Sequence, residues 1–200
     1  MKGDRSGVTD ATARAFEQGV PVKEIIDSAL VAGMNVIGAK FKANEIFIPE
    51  VLISARAMHA GMAVLEPHFV KNDIKPIGKV LIGTVKGDLH DIGKNIVSMM
   101  LKGACFEIDD IGIDVSPQKF IDAAKAKDFD IIAMSSLLTT SMNAMRDTIS
   151  GLGEAGVRDK VKIIVGGAPI TQEFANSIGA DGYARDAATA VDKAIELLRR

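Results

Sequence analysis

The chain has 200 residues, 48% hydrophobic and 25% charged, the balance of a globular protein with room for one large or two small domains. Its net charge of −2, with acids and bases interspersed, supplies no basic field for nucleic acid or an anionic membrane surface. One cysteine, Cys105, excludes an intrachain disulfide and a cysteine zinc cluster. The start, MKGDRSG, leads into no apolar signal core, and no uninterrupted apolar run approaches membrane-spanning length, so a cytoplasmic location is expected.

The first third reads as helix throughout. A short helix is expected near Ala11–Gln18. Pro21 suits a first helical position, and Val22, Ile25, Ile26, Ala29 and Leu30 then recur at helical spacing. Another stretch runs from Met34 to about Ala43, and Pro49 opens a third that carries Leu52, Ala55, Met58, His59, Met62 and Leu65. Together these predict a four-helix bundle over residues 1–72. Two prolines among polar residues, from Glu66-Pro67-His68 to Pro76 and Gly78, mark a domain boundary and a plausible hinge.

From residue 73 the rhythm changes. Lys79–Val85 is a buried-strand run, followed by a helix from Ile92 to about Lys102. Strands are expected at Phe106–Ile111, Phe129–Ser135, Val161–Val165 and Gly182–Ala184. Helices lie between and after them at Pro117–Lys127, Thr140–Gly153, Ile170–Ser177 and Ala187–Arg200. Five strands alternating with helices make residues 73–200 an α/β domain, a Rossmann-like (flavodoxin-like) doubly wound parallel sheet. In such sheets ligands bind beyond the carboxyl ends of the strands, where the strand order reverses.

Three loops lie at that edge: Lys86–Gly93, Ser135–Ser141, and Gly166-Gly167-Ala168-Pro169. In the first, His90 is flanked by Asp88 and Asp91. A histidine that offers one ring nitrogen to a metal usually donates its other N–H to a carboxylate, and Asp88 is spaced to accept it. One histidine and one carboxylate are too few for a free metal ion. They suit a metal that arrives in a macrocycle and needs one axial donor. From the residues alone, Gly166-Gly167 equally suits a strand cap, the Ser/Thr run a helix cap, and Phe41, Ile48 and the methionines bundle core. Asp27 equally suits a solvated helix face, and His59 and His68 read as structural or linker residues.

Asp88-x-His90-x-x-Gly93, Ser135-x-Leu137 and Gly166-Gly167, in that order and each after an expected strand, resemble the three-part signature of cobalamin-binding domains in methionine synthase and the corrinoid methyl-carrier proteins. The helical third, with Gly33-Met34-Asn35, Phe41, Phe47-Ile48-Pro49 and Met58, is similar to the cap that precedes the domain in that family. The resemblance implies that His90 is the lower axial ligand to cobalt, hydrogen-bonded to Asp88, with Ser141 completing a proton relay. It also implies cofactor contacts from Gly87, Leu89, Asp91, Ile92 and Gly93 of the first loop and from Ser135, Leu137 and Thr139 of the second. Gly166 and Gly167 would floor the groove for the nucleotide tail, and Ala187 would pack against its base. In the cap, Phe41 and Ile48 would shield the upper face, and Asp27 stands where methionine synthase has Glu near the corrin side chains.

The function so implied is methyl carriage on cobalamin, cycling between methylcobalamin and cob(I)alamin. The expected partners are a substrate-specific methyltransferase, an acceptor methyltransferase using tetrahydrofolate or a thiol, and a reductive activase. The sheet domain ends the chain, leaving no room for a barrel, so the protein is expected to act as a shuttle. A cobalamin-dependent sensor is the alternative. Such regulators normally carry a DNA-binding helix-turn-helix and a cap Trp, and this chain has no basic recognition segment and no Trp. Small subunits of adenosylcobalamin mutases generally lack the helical cap.

Overall fold

The computed structural model of the chain describes residues 3–69 and 75–199. They form two compact units: residues up to Ile77 together with Lys102–Cys105, and Gly78–Leu101 together with Phe106 onwards. The boundary expected after residue 72, and the middle of the 66–78 hinge, lie outside the described residues.

In the first unit, α1 spans Arg5–Glu17 and starts well ahead of the expected Ala11. Its start is set by a cap rather than by apolar spacing: the Asp4 carboxylate accepts the Gly7 N–H at 2.9 Å. Helix α2 (Val22–Ile25) continues through one π-helical turn, Ile26–Val31, into α3 (Ala32–Lys42) without leaving right-handed helical backbone. Two helices expected apart are thus one. The lone Gly33 inside it costs only about 1 kcal/mol, too little to break a helix whose inner side is buried. Val22, Ile25, Ile26, Leu30, Met34 and Ile37 all lie on that side. The bundle expected from four helices therefore has three long helical bodies among the described residues.

The third body, α4, spans Ile48–Leu65 and opens with Pro49 in its first turn. The Glu50 carboxylate accepts the Phe47 N–H at 3.1 Å. A 3-10 turn, Glu66–His68, follows it, and the His68 ring stacks on Phe16 with centroids 4.1 Å apart. By length and composition alone, Ile48–His68 is apolar enough to cross a membrane, with a mean hydropathy of 1.2, although Pro49, Glu50 and Arg56 interrupt its apolar residues. Its Val51, Ala55, Met58 and Leu65 are buried in the helical unit.

In the second unit five strands form one parallel sheet in the order β2-β1-β3-β4-β5: β1 Lys79–Thr84, β2 Glu107–Asp110, β3 Ile131–Ser135, β4 Lys162–Gly166 and β5 Gly182–Ala184. The central strands are apolar on both sides, as a sheet covered on both faces requires, and Val80, Leu81, Ile82, Ile131, Ile132 and Ile163 are buried. β2, at an edge, carries Glu107, Asp109 and Asp110 instead, charges that discourage further pairing. Helices α5 (Ile92–Gly103), α6 (Pro117–Ala126), α7 (Met142–Glu154), α8 (Gln172–Ser177) and α9 (Ala187–Leu198) make the crossovers and the end of the chain. Because β1 is flanked by β2 and β3, the chain reverses its winding direction between β1 and β3, and the loops that leave these two strands face each other.

The register Thr84↔Ser135 and Ser135↔Gly166 aligns the ends of β1, β3 and β4 in one row. Beyond that row the Ser136 N–H donates to the Gly166 carbonyl at 3.1 Å. Gly167 follows with φ at +128°, and a Cβ built there would lie 1.8 Å from the Ser136 carbonyl oxygen. Gly167→Ala should therefore destabilise the protein by about 3 kcal/mol, combining a forbidden backbone region with a main-chain clash. Denaturant unfolding measures this, and a loss below 1 kcal/mol would show that the two loops can separate freely.

Candidate functional site

The loop after β1 is built to hold one carboxylate out of water. Gly87, with φ at +85°, turns the chain at the strand end, and the Asp88 N–H closes that turn on the Val85 carbonyl at 3.2 Å. Asp88 is thereby aimed inward and is 0% exposed. Burying a charge demands donors, and three N–H groups converge on it. Its Oδ1 accepts the backbone N–H of His90 at 2.9 Å and contacts His90 Nδ1 at 2.7 Å. Its Oδ2 accepts the backbone N–H of Leu137, on the loop after β3. Burial pushes the Asp88 carboxyl up, but the hydrogen bonds from Leu137 and His90 outweigh it and hold the group below its ordinary value.

An ionised carboxylate only accepts hydrogen bonds, so Nδ1 of His90 must carry the proton and donate it. In the neutral ring the tautomer is thereby fixed, with the lone pair on Nε2. The ring is half exposed, at 53%. It is held from behind as well: the buried Thr84 hydroxyl donates to the His90 carbonyl at 2.8 Å. The loops at this edge also leave apolar side chains in the open: Leu89 at 69%, Ile92 at 71%, Leu137 at 43%, with Leu138 and Ile113.

Asp91 starts α5, its carbonyl accepting the Asn95 N–H at 2.8 Å and its carboxylate the Asn95 side chain at 3.0 Å. Over the next turn a Cβ at Gly93 would meet nothing within 4 Å, so the chain leaves open space there. Ser135 ends β3 and is half-buried, and Thr139 is exposed at the start of a 3-10 turn that ends at Ser141. Gly166 ends β4 against the Ala184 carbonyl, and Ala187 is buried as the first residue of α9, capped by the Asp186 carboxylate on the Thr189 N–H at 2.7 Å.

Among the described residues no direct hydrogen bond joins Asp88 to Ser141, the two ends of the expected relay. Ser141 is buried, and its hydroxyl pairs with the Ser136 hydroxyl at 2.7 Å and reaches the Leu138 carbonyl at 3.0 Å. Asp88 is met instead by the Leu137 N–H of the same loop. Asp27, Phe41 and Ile48 belong to the helical unit. Asp27 pairs with Lys23 at 2.8 Å, Phe41 is half-buried and Ile48 is exposed. Their part in holding a cofactor rests on the resemblance.

Sequence reasoning missed Thr84, Ser136 and Asp114. Thr84 had a visible signal, a polar residue closing the apolar run of β1. The Ser136 hydroxyl bonds within its own loop and Asp114 reaches across to another, and neither has a spacing rule behind it. Among the described residues no third histidine, cysteine or carboxylate joins Asp88 and His90 to make a metal cluster. What remains is one nitrogen donor in an apolar rim, an arrangement suited to a flat macrocycle that carries its own metal.

Comparison with known proteins agrees. Residues 78–192 match the family model described as the B12 binding domain, and residues 1–66 match a second model with the same description. The chain is 49% identical over 191 residues to dimethylamine corrinoid protein 3 of Methanosarcina acetivorans, covering 96% of this chain and 89% of that one. Among solved structures it is similar to a cobalamin-binding protein of Desulfitobacterium hafniense, with a TM-score of 0.82 and 31% identity over 95% of this chain and 90% of that one. A methanol:cobalamin methyltransferase complex of Methanosarcina barkeri gives a TM-score of 0.86 and 30% identity over 98% of this chain and 75% of that one. The chain belongs to the B12-binding family of corrinoid proteins.

The depressed Asp88 value has a sign that can be measured. A carboxyl whose folded value lies below its unfolded value of about 3.9 adds stability above that value and loses it as pH falls through the folded one. Stability of the wild type should therefore fall more steeply below about pH 4 than that of Asp88→Asn, which lacks the titrating group. Urea unfolding at several acidic pH values reads this directly, and parallel curves would show that Asp88 is not held ionised.

Proposed function

We propose that this corrinoid protein binds cobalamin through His90 as the axial nitrogen ligand and shuttles methyl groups between a donor-specific and an acceptor methyltransferase. The observation that carries the reading is the pairing of buried Asp88 with His90 Nδ1, which turns Nε2 into the free donor at the apolar edge of the sheet. When bound, the corrin supplies a cobalt that takes up a methyl group and gives it on, chemistry that belongs to the cofactor.

The protein's own residues divide the rest. Asp88 keeps the proton on Nδ1 and fixes the plane of the His90 ring, while the Leu137 N–H keeps Asp88 charged. Leu89, Ile92, Leu137 and Leu138 form a dry face on which a macrocycle can lie flat, and their burial by it would add roughly 25 cal/mol per Å² of apolar surface removed from water. Gly93 leaves room beside the ring. Gly166 and Gly167 border the groove that would take the nucleotide tail, and the open loops at this edge leave the cofactor reachable by a partner enzyme.

The 49% identity to a dimethylamine corrinoid protein supports a donor of the methylamine class. The acceptor enzyme would use tetrahydrofolate or a thiol. A reductive activase would restore the cobalt after accidental oxidation.

The test is a visible spectrum. Protein mixed with hydroxocobalamin and desalted should keep its colour, and His90→Ala should keep less of it and show altered axial ligation. A wild type that emerges colourless even after reductive reconstitution overturns the reading, as does a His90→Ala spectrum identical to wild type.

A further inference from the structure

The turn that presents His90 is not held by its own bonds alone. Its residues sit at the end of β1, and further hydrogen bonds to their main chain come from the loop after β2, residues 111–116. That loop runs alongside: the Thr84 N–H donates to the Gly112 carbonyl at 2.9 Å, and the Val115 N–H donates to the Thr84 carbonyl at 2.9 Å. An isolated parallel bridge, Val85↔Val115, extends the pairing past the end of the strands. Between these rungs lies Asp114, with φ at +50°, a left-handed conformation that Asp adopts more readily than most side chains. In that conformation it makes two bonds to the turn. Its carboxylate accepts the Gly87 N–H at 2.8 Å, and its own N–H donates to the Asp88 carbonyl at 3.0 Å.

We propose that Asp114 is a positioning residue for His90, clamping the Lys86–Gly87 and Asp88–Leu89 peptide units that bracket Gly87 and Asp88 so that the Asp88 carboxylate meets the ring at Nδ1. The geometry explains why two contacts are needed. Gly87 is in a left-handed conformation at φ +85° and can rotate freely without a partner for its N–H. A small rotation there would swing the Asp88 side chain away from the Leu137 N–H and the His90 ring together. With the Gly87 N–H and the Asp88 carbonyl both tied to one residue, that rotation is blocked. The same loop carries Ile113, 42% exposed, so the strap that fixes the turn also adds to the apolar rim.

The role of His90 as a cobalt ligand rests on the function proposed above, but the clamp is tested without cofactor. Three substitutions separate its parts. Asp114→Asn keeps both the side-chain acceptor and the tolerance of positive φ. Asp114→Gly keeps the backbone freedom and loses the acceptor. Asp114→Ala loses both. Ring nitrogen NMR of the cofactor-free protein reports which nitrogen of His90 carries the proton, and hydrogen exchange reports the Gly87 amide.

Wild type and Asp114→Asn should show a single Nδ1–H form. Asp114→Gly and Asp114→Ala should show a mixture of the two tautomers, with exchange at Gly87 about five- to tenfold faster, the loss of one net hydrogen bond. Thermal unfolding identifies any variant that has simply failed to fold, and Asp114→Gly, free of backbone strain, is the decisive one. A folded Asp114→Gly with the wild-type ring signature overturns the proposal, and so does an Asp114→Asn protein as disordered at His90 as the glycine variant. Retention of cobalamin on a desalting column is measured on the same proteins. A wild type that retains none defeats the proposed function, while the tautomer comparison still decides the clamp.

Discussion

Everything at the functional edge depends on one buried charge. Asp88 is fully enclosed and ionised, and a carboxylate in that position is stable only while several N–H groups point at it. Two of them come from His90, two residues along the same loop, and the third from Leu137, on a different strand connection. The carboxylate therefore ties two loops together and orients an imidazole in the same act. Were it neutral or displaced, the ring would lose its fixed tautomer and the second loop its anchor.

The sheet makes this convergence possible. Sequence distance between Asp88 and Leu137 is 49 residues, and they meet only because β1 and β3 are neighbours in the strand order and their ends are in register. The core serves that register. Leu81, Ile132, Ile163, Phe120, Met145 and Leu152 fill the layers beside the central strands and are almost wholly buried, so the strand ends cannot slide. The loops can then be short and still be exact about where they put a side chain, since few torsions separate Thr84 from His90. Polar grip comes from the main chain and from Thr84 and Ser136, while the surface presented outward is largely aliphatic.

Much of this was legible in the sequence, and the reason differs by element. The strand and helix alternation was plain because parallel strands are apolar on both faces and the helices between them are amphipathic. His90 and Asp88 stood out because their pairing is local, two residues apart at a strand end. The joining of α2 and α3 was not legible, because a π-helical turn leaves the apolar spacing almost unchanged while Ala32-Gly33 looks like an interruption. The hydrogen-bond partners of Ser141 were not legible for a different reason. Its hydroxyl meets Ser136 and the Leu138 carbonyl because the 3-10 turn Thr139–Ser141 folds back on its own loop, and residue identity alone does not show that fold-back. Asp114 was invisible because the groups its carboxylate and amide meet are main-chain groups of a distant turn, which every residue has.

Leu137 contributes to the site twice, through different parts of itself. Its amide neutralises a buried negative charge, whereas its side chain, 43% exposed, forms part of the apolar rim. The amide is common to every amino acid but proline, so the side chain can be exchanged for a larger, smaller or more polar one with the charge balance behind His90 left intact. The breadth and greasiness of the outer face and the orientation of the imidazole are for this reason independent dials, and a loop built this way can change its surface without disturbing the ring behind it.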